Sequence, residues 1–246
     1  MKAMVFAAGL GTRLRPLTDH RPKALVEVTG RTLLDIALAR LRTFGVAEVI
    51  VNVHHHAGMI VDYLAAHRNF GMRIEVSRED LLLDTGGGLK KAAWFFLEGS
   101  EGAQEPFILH NVDVVSSIDL ARMMQFHVEH NALATLAVQD RATSRYLLFD
   151  AKGRLCGRQA GRDGNAELVC PADSVQPLAF CGIHIVSPRL LTMLDEDGAF
   201  SIIDAYLRLA AQGGTIAAFR ADDCYWRDLG RPESLAQLER DVASGA

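Results

Sequence analysis

An α/β fold, a mostly parallel central sheet with helices on both faces, is what this sequence predicts, and three observations predict it. Short apolar runs, Ala3–Ala8, Val46–Val53 and Pro106–His110, have strand length and are bounded by Gly, Asn or charged residues, as buried strands are. Segments between them carry apolar residues three and four apart, the spacing of one helix face. The N-terminal elements alternate β-α-β-α-β, the rhythm of right-handed parallel crossovers. With 246 residues, 49% hydrophobic and 23% charged, the chain can bury a sizeable core, and residues 1–246 are expected to form one domain.

Taken in order, Ala3–Ala8 is the first strand, and Ala24–Val28 leads to a turn at Thr29-Gly30. A helix from about Thr32 to Phe44 has Leu34, Ala37, Leu38 and Leu41 on one stripe and stops at Gly45. The strand Val46–Val53, a helix Ala57–His67 and a strand Arg73–Ser77 complete the first unit. Thr85-Gly86-Gly87-Gly88 opens a helix running from about Leu89 to Leu97. The strand Pro106–His110 is followed by a helix over Ile118–Glu129 and a strand over Ala132–Gln139. From Arg141 to Asp173 the chain turns polar and glycine-rich, with short hairpin strands at Tyr146–Phe149 and Arg154–Arg158. Pro171–Gln176 is a loop and Leu178–Val186 a strand. Helices over Pro188–Asp195 and Ile202–Ala211, a strand over Thr215–Arg220 and a last helix after Asp228 complete the pattern. The expected sheet has about seven strands.

Chemistry concentrates at the N-terminus. Gly9-Leu10-Gly11-Thr12-Arg13 ends the first apolar run. Lys2, Arg13, Arg15, Arg21 and Lys23 face only Asp19, a local charge of +4 in a chain of net charge -4. Glycine lets backbone N–H groups approach an anion, and cations nearby neutralise it. The reading is a polyphosphate cradle. It is not a dinucleotide fingerprint, because Leu14 stands where a small residue is needed, and no P-loop string occurs.

Three further places attract attention. Asp113 lies just past a central strand, where open α/β sheets bind ligands, and is a candidate Mg²⁺ ligand; Asn111 beside it suits a sugar or ribose hydroxyl. Three consecutive glycines, Gly86 to Gly88, are costly to order and suggest a close approach of backbone to something. His54-His55-His56 is read as polar residues closing a strand, since adjacent side chains in extended chain point to opposite sides.

The string F-A-A-G-x-G-T-R-x-R-P-x-T-x-x-x-P-K over Phe6–Lys23 resembles the signature of the nucleoside-diphosphate-sugar pyrophosphorylases, the sugar-1-phosphate nucleotidyltransferases. Within that family it is most like the short N-acetylmuramate-1-phosphate uridylyltransferase type. The T-G-G-G at Thr85, the N-V-D at Asn111 (N-G-D in most relatives), F-C-G-I at Phe180 and W-R-D-L-G at Trp226 resemble further family strings. Arg231 stands where Ser or Thr is usual, and no Glu-Lys pair occurs in the Arg141–Asp173 segment.

The resemblance implies a Rossmann-like domain of the nucleotide-diphospho-sugar transferase type and transfer of a nucleotidyl group from an NTP to a sugar 1-phosphate. It implies nucleotide contacts from Ala7, Ala8, Gly9, Gly11, Thr12, Arg13, Lys23 and Gly86, with Arg13 and Lys23 catalytic. Gly87, Asn111 and Gly182 would meet the sugar phosphate, and Asp113 and Asp228 would hold Mg²⁺. UTP with N-acetylmuramate 1-phosphate or a similar hexose 1-phosphate is favoured. A guanylyltransferase for a mannose- or heptose-type phosphate, a cytidylyltransferase for an amino-alcohol phosphate and an NDP-sugar sensor are the alternatives. Only a short helix follows Asp228, so no second, acyltransferase activity is expected.

Composition bounds the partners. Mild net acidity argues against nucleic acid, and no apolar stretch is long enough to span a bilayer. Cys156, Cys170, Cys181 and Cys224 lack C-x-x-C spacing, and no secretory leader is visible, so reduced thiols in a cytoplasm are expected. Oligomeric state is open.

Overall fold

The computed structural model describes residues 1–98 and 105–244. In chain order its elements are β1 (Lys2–Phe6), β2 (Glu27–Val28), β3 (Arg31–Thr32), α1 (Leu33–Thr43), β4 (Glu48–Val53), α2 (Ala57–Ala66) and β5 (Arg73–Arg78). Then come α3 (Asp84–Lys91), α4 (Ala93–Leu97), β6 (Phe107–Asn111), β7 (Val114–Ser116), α5 (Leu120–Glu129), β8 (Ala134–Gln139), β9 (Arg145–Phe149), β10 (Leu155–Ala160) and β11 (Ala166–Leu168). The last are β12 (Gln176–Val186), α6 (Ile202–Ala211), β13 (Ile216–Arg220), β14 (Trp226–Asp228) and α7 (Pro232–Ala243).

One ten-stranded mixed sheet organises them, in the order β11-β10-β9-β12-β6-β1-β4-β5, with β8 joining β12 to β13. The block β5-β4-β1-β6 is parallel, as is β8 with β13. β12 turns the sheet antiparallel against β6, β8 and β9. The sheet exceeds the expected seven strands because the polar segment after Arg141 adds β9, β10 and β11 as an antiparallel extension.

Alternation along β1 divides the core. Ala3 and Val5 face the layer of α1, α2, α5 and α7; Met4 and Phe6 face that of α3, α4 and α6. Thr32 caps α1 by accepting from the Asp35 amide at 3.1 Å, and Leu33, Leu34, Leu38 and Leu41 are buried beneath it. After β5 the chain returns to the other side of β1 to form β6, so the strand order reverses between β1 and β6. Such a reversal leaves a crevice at the carboxyl ends of the two strands.

Three boundaries differ from expectation. β1 ends at Phe6, because the Ala7 amide leaves the ladder to donate to Asn52 Oδ1 at 2.8 Å. α3 starts at Asp84, so the three glycines lie inside its first turns, and the chain breaks at Ala92 before α4. Pro188–Met193 is a 3₁₀ turn, with Leu194 extended beyond it. No helix among the described residues is long and apolar enough to cross a membrane.

Candidate active site

The crevice between β1 and β6 is built from the N-terminal turn upward. Gly11 takes φ +66°, and a Cβ there would stand 2.9 Å from Thr18 and 3.0 Å from Lys23. Its carbonyl accepts from the Leu14 amide at 2.8 Å and the Thr18 hydroxyl at 2.9 Å, closing the turn over buried Leu14. This arrangement leaves Thr12 and Arg13 on the outside. Lys23 starts a second short turn whose Ala24 and Leu25 are buried, so its backbone is pinned while its side chain reaches the Asp113 carboxylate.

Asp113 follows β6. Val112, in the place of the usual glycine, packs into the core at 5% exposure and donates its amide to Phe6 O at 3.2 Å; part of it also lines the crevice. Valine is accommodated there without turning Asp113 away from Lys23.

Asp113 and Asp228 lie 115 positions apart in sequence. A two-stranded ribbon joins them. β7 pairs antiparallel with β14, setting Asp228 opposite Val114, and the Leu229 amide donates to Asp113 O at 2.8 Å. Trp226 anchors the ribbon by donating its indole N–H to Cys181 O at 2.8 Å. Asp228 Oδ1 accepts from the Gly230 amide at 2.6 Å. A Cβ placed on Gly230 would stand 2.7 Å from Arg13, 2.7 Å from Asp228 and 3.2 Å from Lys23. Arg13, Lys23, Asp113 and Asp228 therefore converge on one point.

Two cavities meet there. One, of about 410 Å³, is lined by Ala7, Ala8 and Gly9 on one side, Asn52, Leu82, Asp84 and Thr85 on the other, and Lys23, Asn111 and Asp113 between. The second, of about 960 Å³, is lined by Arg13, Asp228, Trp226 and four further arginines. The two spaces thus flank a centre of two cations and two carboxylates.

Gly11 and Thr12 of the first turn do not line either cavity, and neither do Gly86, Gly87 and Gly182. Gly86 packs against the Phe200 ring and donates its amide to Phe200 O at 2.9 Å; Gly87 packs against Gly198 O. Gly182, at φ +73°, makes room for Asn111, whose Nδ2 would be 2.8 Å from its Cβ. These glycines stand behind the wall and let Thr85 and Asn111 form it.

Sequence reasoning missed that wall. Asn52 holds the Ala7 amide and donates to Glu79 Oε1 at 2.7 Å; Glu79 Oε2 accepts from the Leu83 amide at 3.0 Å. Both side chains are buried and tie the first glycine loop to the start of α3. A lone Asn in the apolar run Val46–Val53 was the available signal; Glu79 offered none. Among the histidines, His54 Nδ1 lies 2.8 Å from Glu79 O and His56 begins α2 at φ +56°. No group of three His, Cys, Asp or Glu among the described residues could hold a metal.

Burial sets the remaining charges. Arg141 stacks on Trp226, 3.6 Å from the ring centroid, donates to Phe180 O at 2.8 Å, and is pulled below its ordinary range by desolvation. Burial raises the neighbouring Cys181 thiol to about 12, and all four cysteines are free thiols. His110, under Asn111, is lowered to about 4 by burial.

Comparison with known proteins accords with this geometry. Residues 2–160 match the Nucleotidyl transferase family. The chain is 34% identical to the N-acetylmuramate alpha-1-phosphate uridylyltransferase of Caulobacter vibrioides, covering 98% of this chain and 96% of that one. It is 27% identical to a mannose-1-phosphate guanylyltransferase of Arabidopsis thaliana, over 94% of this chain but only 62% of the relative. A putative glucose-1-phosphate thymidylyltransferase from Bacillus anthracis superposes with a TM-score of 0.78 over 98% of this chain and 94% of its own, at 16% identity, and so shares the fold. With a crevice at the strand-order reversal and a family match over most of its length, the chain belongs to the nucleotidyl transferases and is one of the sugar-1-phosphate nucleotidyltransferases.

Proposed function

We propose that this enzyme transfers the uridylyl group of UTP to N-acetylmuramate 1-phosphate or a similar hexose 1-phosphate, releasing pyrophosphate. The observation that carries the chemistry is the convergence of Arg13, Lys23, Asp113 and Asp228 around Gly230. The 34% likeness to the Caulobacter enzyme, over nearly all of both chains, supports the choice of substrates.

The roles proposed are those that the family signature implies. Gly9, Gly11 and Thr12 offer backbone donors to the triphosphate, Ala7 and Ala8 flank the nucleoside, and Arg13 holds the leaving β- and γ-phosphates. Lys23 bridges the α-phosphate and the acceptor phosphate, and Asn111 takes a sugar or ribose hydroxyl. The acceptor oxygen attacks the α-phosphorus in line and pyrophosphate leaves opposite. No protein nucleophile is required, since positioning and charge stabilisation supply most of the acceleration.

Asp113 and Asp228 fit Mg²⁺. Two carboxylates, with no third His, Cys, Asp or Glu beside them among the described residues, suit a hard cation that completes its shell with water and substrate phosphate. Bound there, Mg²⁺ would neutralise phosphate charge between the two reactants. The enzyme is proposed to work as one domain over residues 1–246 and in a reducing cytoplasm, in keeping with its free thiols.

Guanylyl transfer to a mannose-type phosphate is the second reading, favoured by the Arabidopsis likeness. A sensor would not need both carboxylates beside Arg13 and Lys23. A matrix of four NTPs and dTTP against sugar 1-phosphates and phosphocholine, scored by pyrophosphate release with Mg²⁺, decides. Turnover with UTP and an N-acetylhexosamine phosphate is expected; preference for GTP would end the uridylyl assignment and leave the transfer chemistry intact.

A further inference from the structure

The larger cavity is strongly positive. Its walls hold Arg13, Arg141, Arg145, Arg227 and Arg231 against a single carboxylate, Asp228. Three of the five are committed. Arg13 faces the reacting centre, Arg141 is stacked on Trp226 and bonded to Phe180 O, and Arg227 pairs with Asp241 at 2.7 Å. Arg158, on β10 nearby, is held by Glu167 and Asp204, both at 2.7 Å. Arg145 and Arg231 are exposed and make no ion pair or side-chain hydrogen bond among the described residues.

Arg231 is the more telling of the two. It occupies the N-cap of α7, where a small acceptor side chain would satisfy the helix, and its own side chain makes no capping bond. An arginine there costs the helix a cap and returns nothing to it. Two exposed guanidiniums without a partner among the described residues, on the walls of a cavity that already holds three more, favour an anion there. Guanidinium is also the side chain suited to bidentate pairing with a carboxylate.

We propose that Arg145 and Arg231 bind a second anionic group of the acceptor, a carboxylate separate from its 1-phosphate, and thereby select an acidic sugar phosphate over a neutral one. The proposal deepens the transfer reading above and rests on it, with the part of this cavity beyond Arg13, beside Trp226, taken as the acceptor's; it is independent of the base.

The test uses R145Q, R231Q and the double variant with N-acetylmuramate 1-phosphate and N-acetylglucosamine 1-phosphate, which differ only by the lactyl ether. Wild type should favour the carboxylated acceptor. Each substitution should raise its KM by about 10- to 100-fold, the range of a charge-assisted hydrogen bond, and lower the ratio of kcat/KM between the two acceptors. Calorimetric titration of the same two phosphates reads the discrimination without turnover. Retained discrimination in an inactive protein would sink the transfer reading alone. An unchanged ratio in the variants, or a wild type that prefers the neutral acceptor, overturns the proposal. Equal losses on both acceptors, with a raised KM for pyrophosphate in the reverse direction, would assign the arginines to the leaving group and overturn it too.

Discussion

A methyl group added at Gly230 would press on the ends of Arg13, Asp228 and Lys23, all flexible side chains, so they and not the backbone would move. Gly230→Ala is therefore expected to keep its circular dichroism and melting temperature but to lose about a hundredfold in kcat, the cost of misplacing a reacting group by about an ångström. Lys23→Ala should lower kcat by about 10²- to 10³-fold, as loss of a charge clamp does, while buried Ala24 and Leu25 keep its short turn in place. A fully active Lys23→Ala enzyme would end its assignment to the α-phosphate. Asp113→Asn and Asp228→Asn should each raise the Mg²⁺ concentration needed for half-maximal rate, after EDTA has abolished it. A change in only one would mean that the two carboxylates do not share an ion.

Helix α3 shows how an element serves a site through its hidden side. Gly86→Ala would drive a methyl group into the Phe200 ring and toward its carbonyl, and should destabilise the fold by about 1–3 kcal/mol in urea unfolding, as overpacking does. Thr85, whose hydroxyl accepts from the Ile202 amide at 3.0 Å, would shift with it, so KM for the nucleotide should rise. Gly86 was legible in sequence as a position of close approach, but what it approaches is Phe200, more than a hundred residues on, and no local pattern names such a partner. The signature from Phe6 to Lys23 was legible because its residues act within one turn and its flank. The β7–β14 ribbon was not. At three residues a strand it is too short for alternation to register, and only the family strings link Asp113 with Asp228.

At the scale of the whole molecule, the sheet buries imidazoles that fold neutral. His127 sits between Thr135 and Ser187, at 2.9 Å from each, and His184 lies 2.9 Å from the Tyr206 hydroxyl. Burial lowers them to about 4 and about 3. The unfolded chain takes up protons on these residues below about pH 6.5 while the folded one does not, so their stabilisation is complete above that pH and is lost as pH falls toward 4. Scanning calorimetry should show the melting temperature dropping over this window with protons absorbed on unfolding; protons released there would contradict it. The three-residue ribbon under Asp228 also sets a timetable on the ribosome. At roughly 5–20 residues per second, Asp228 emerges about 6 to 23 s after Asp113, so a nascent chain carries the first carboxylate of the proposed pair well before the strand that brings the second, and under the roles proposed above it cannot turn nucleotide over in that interval.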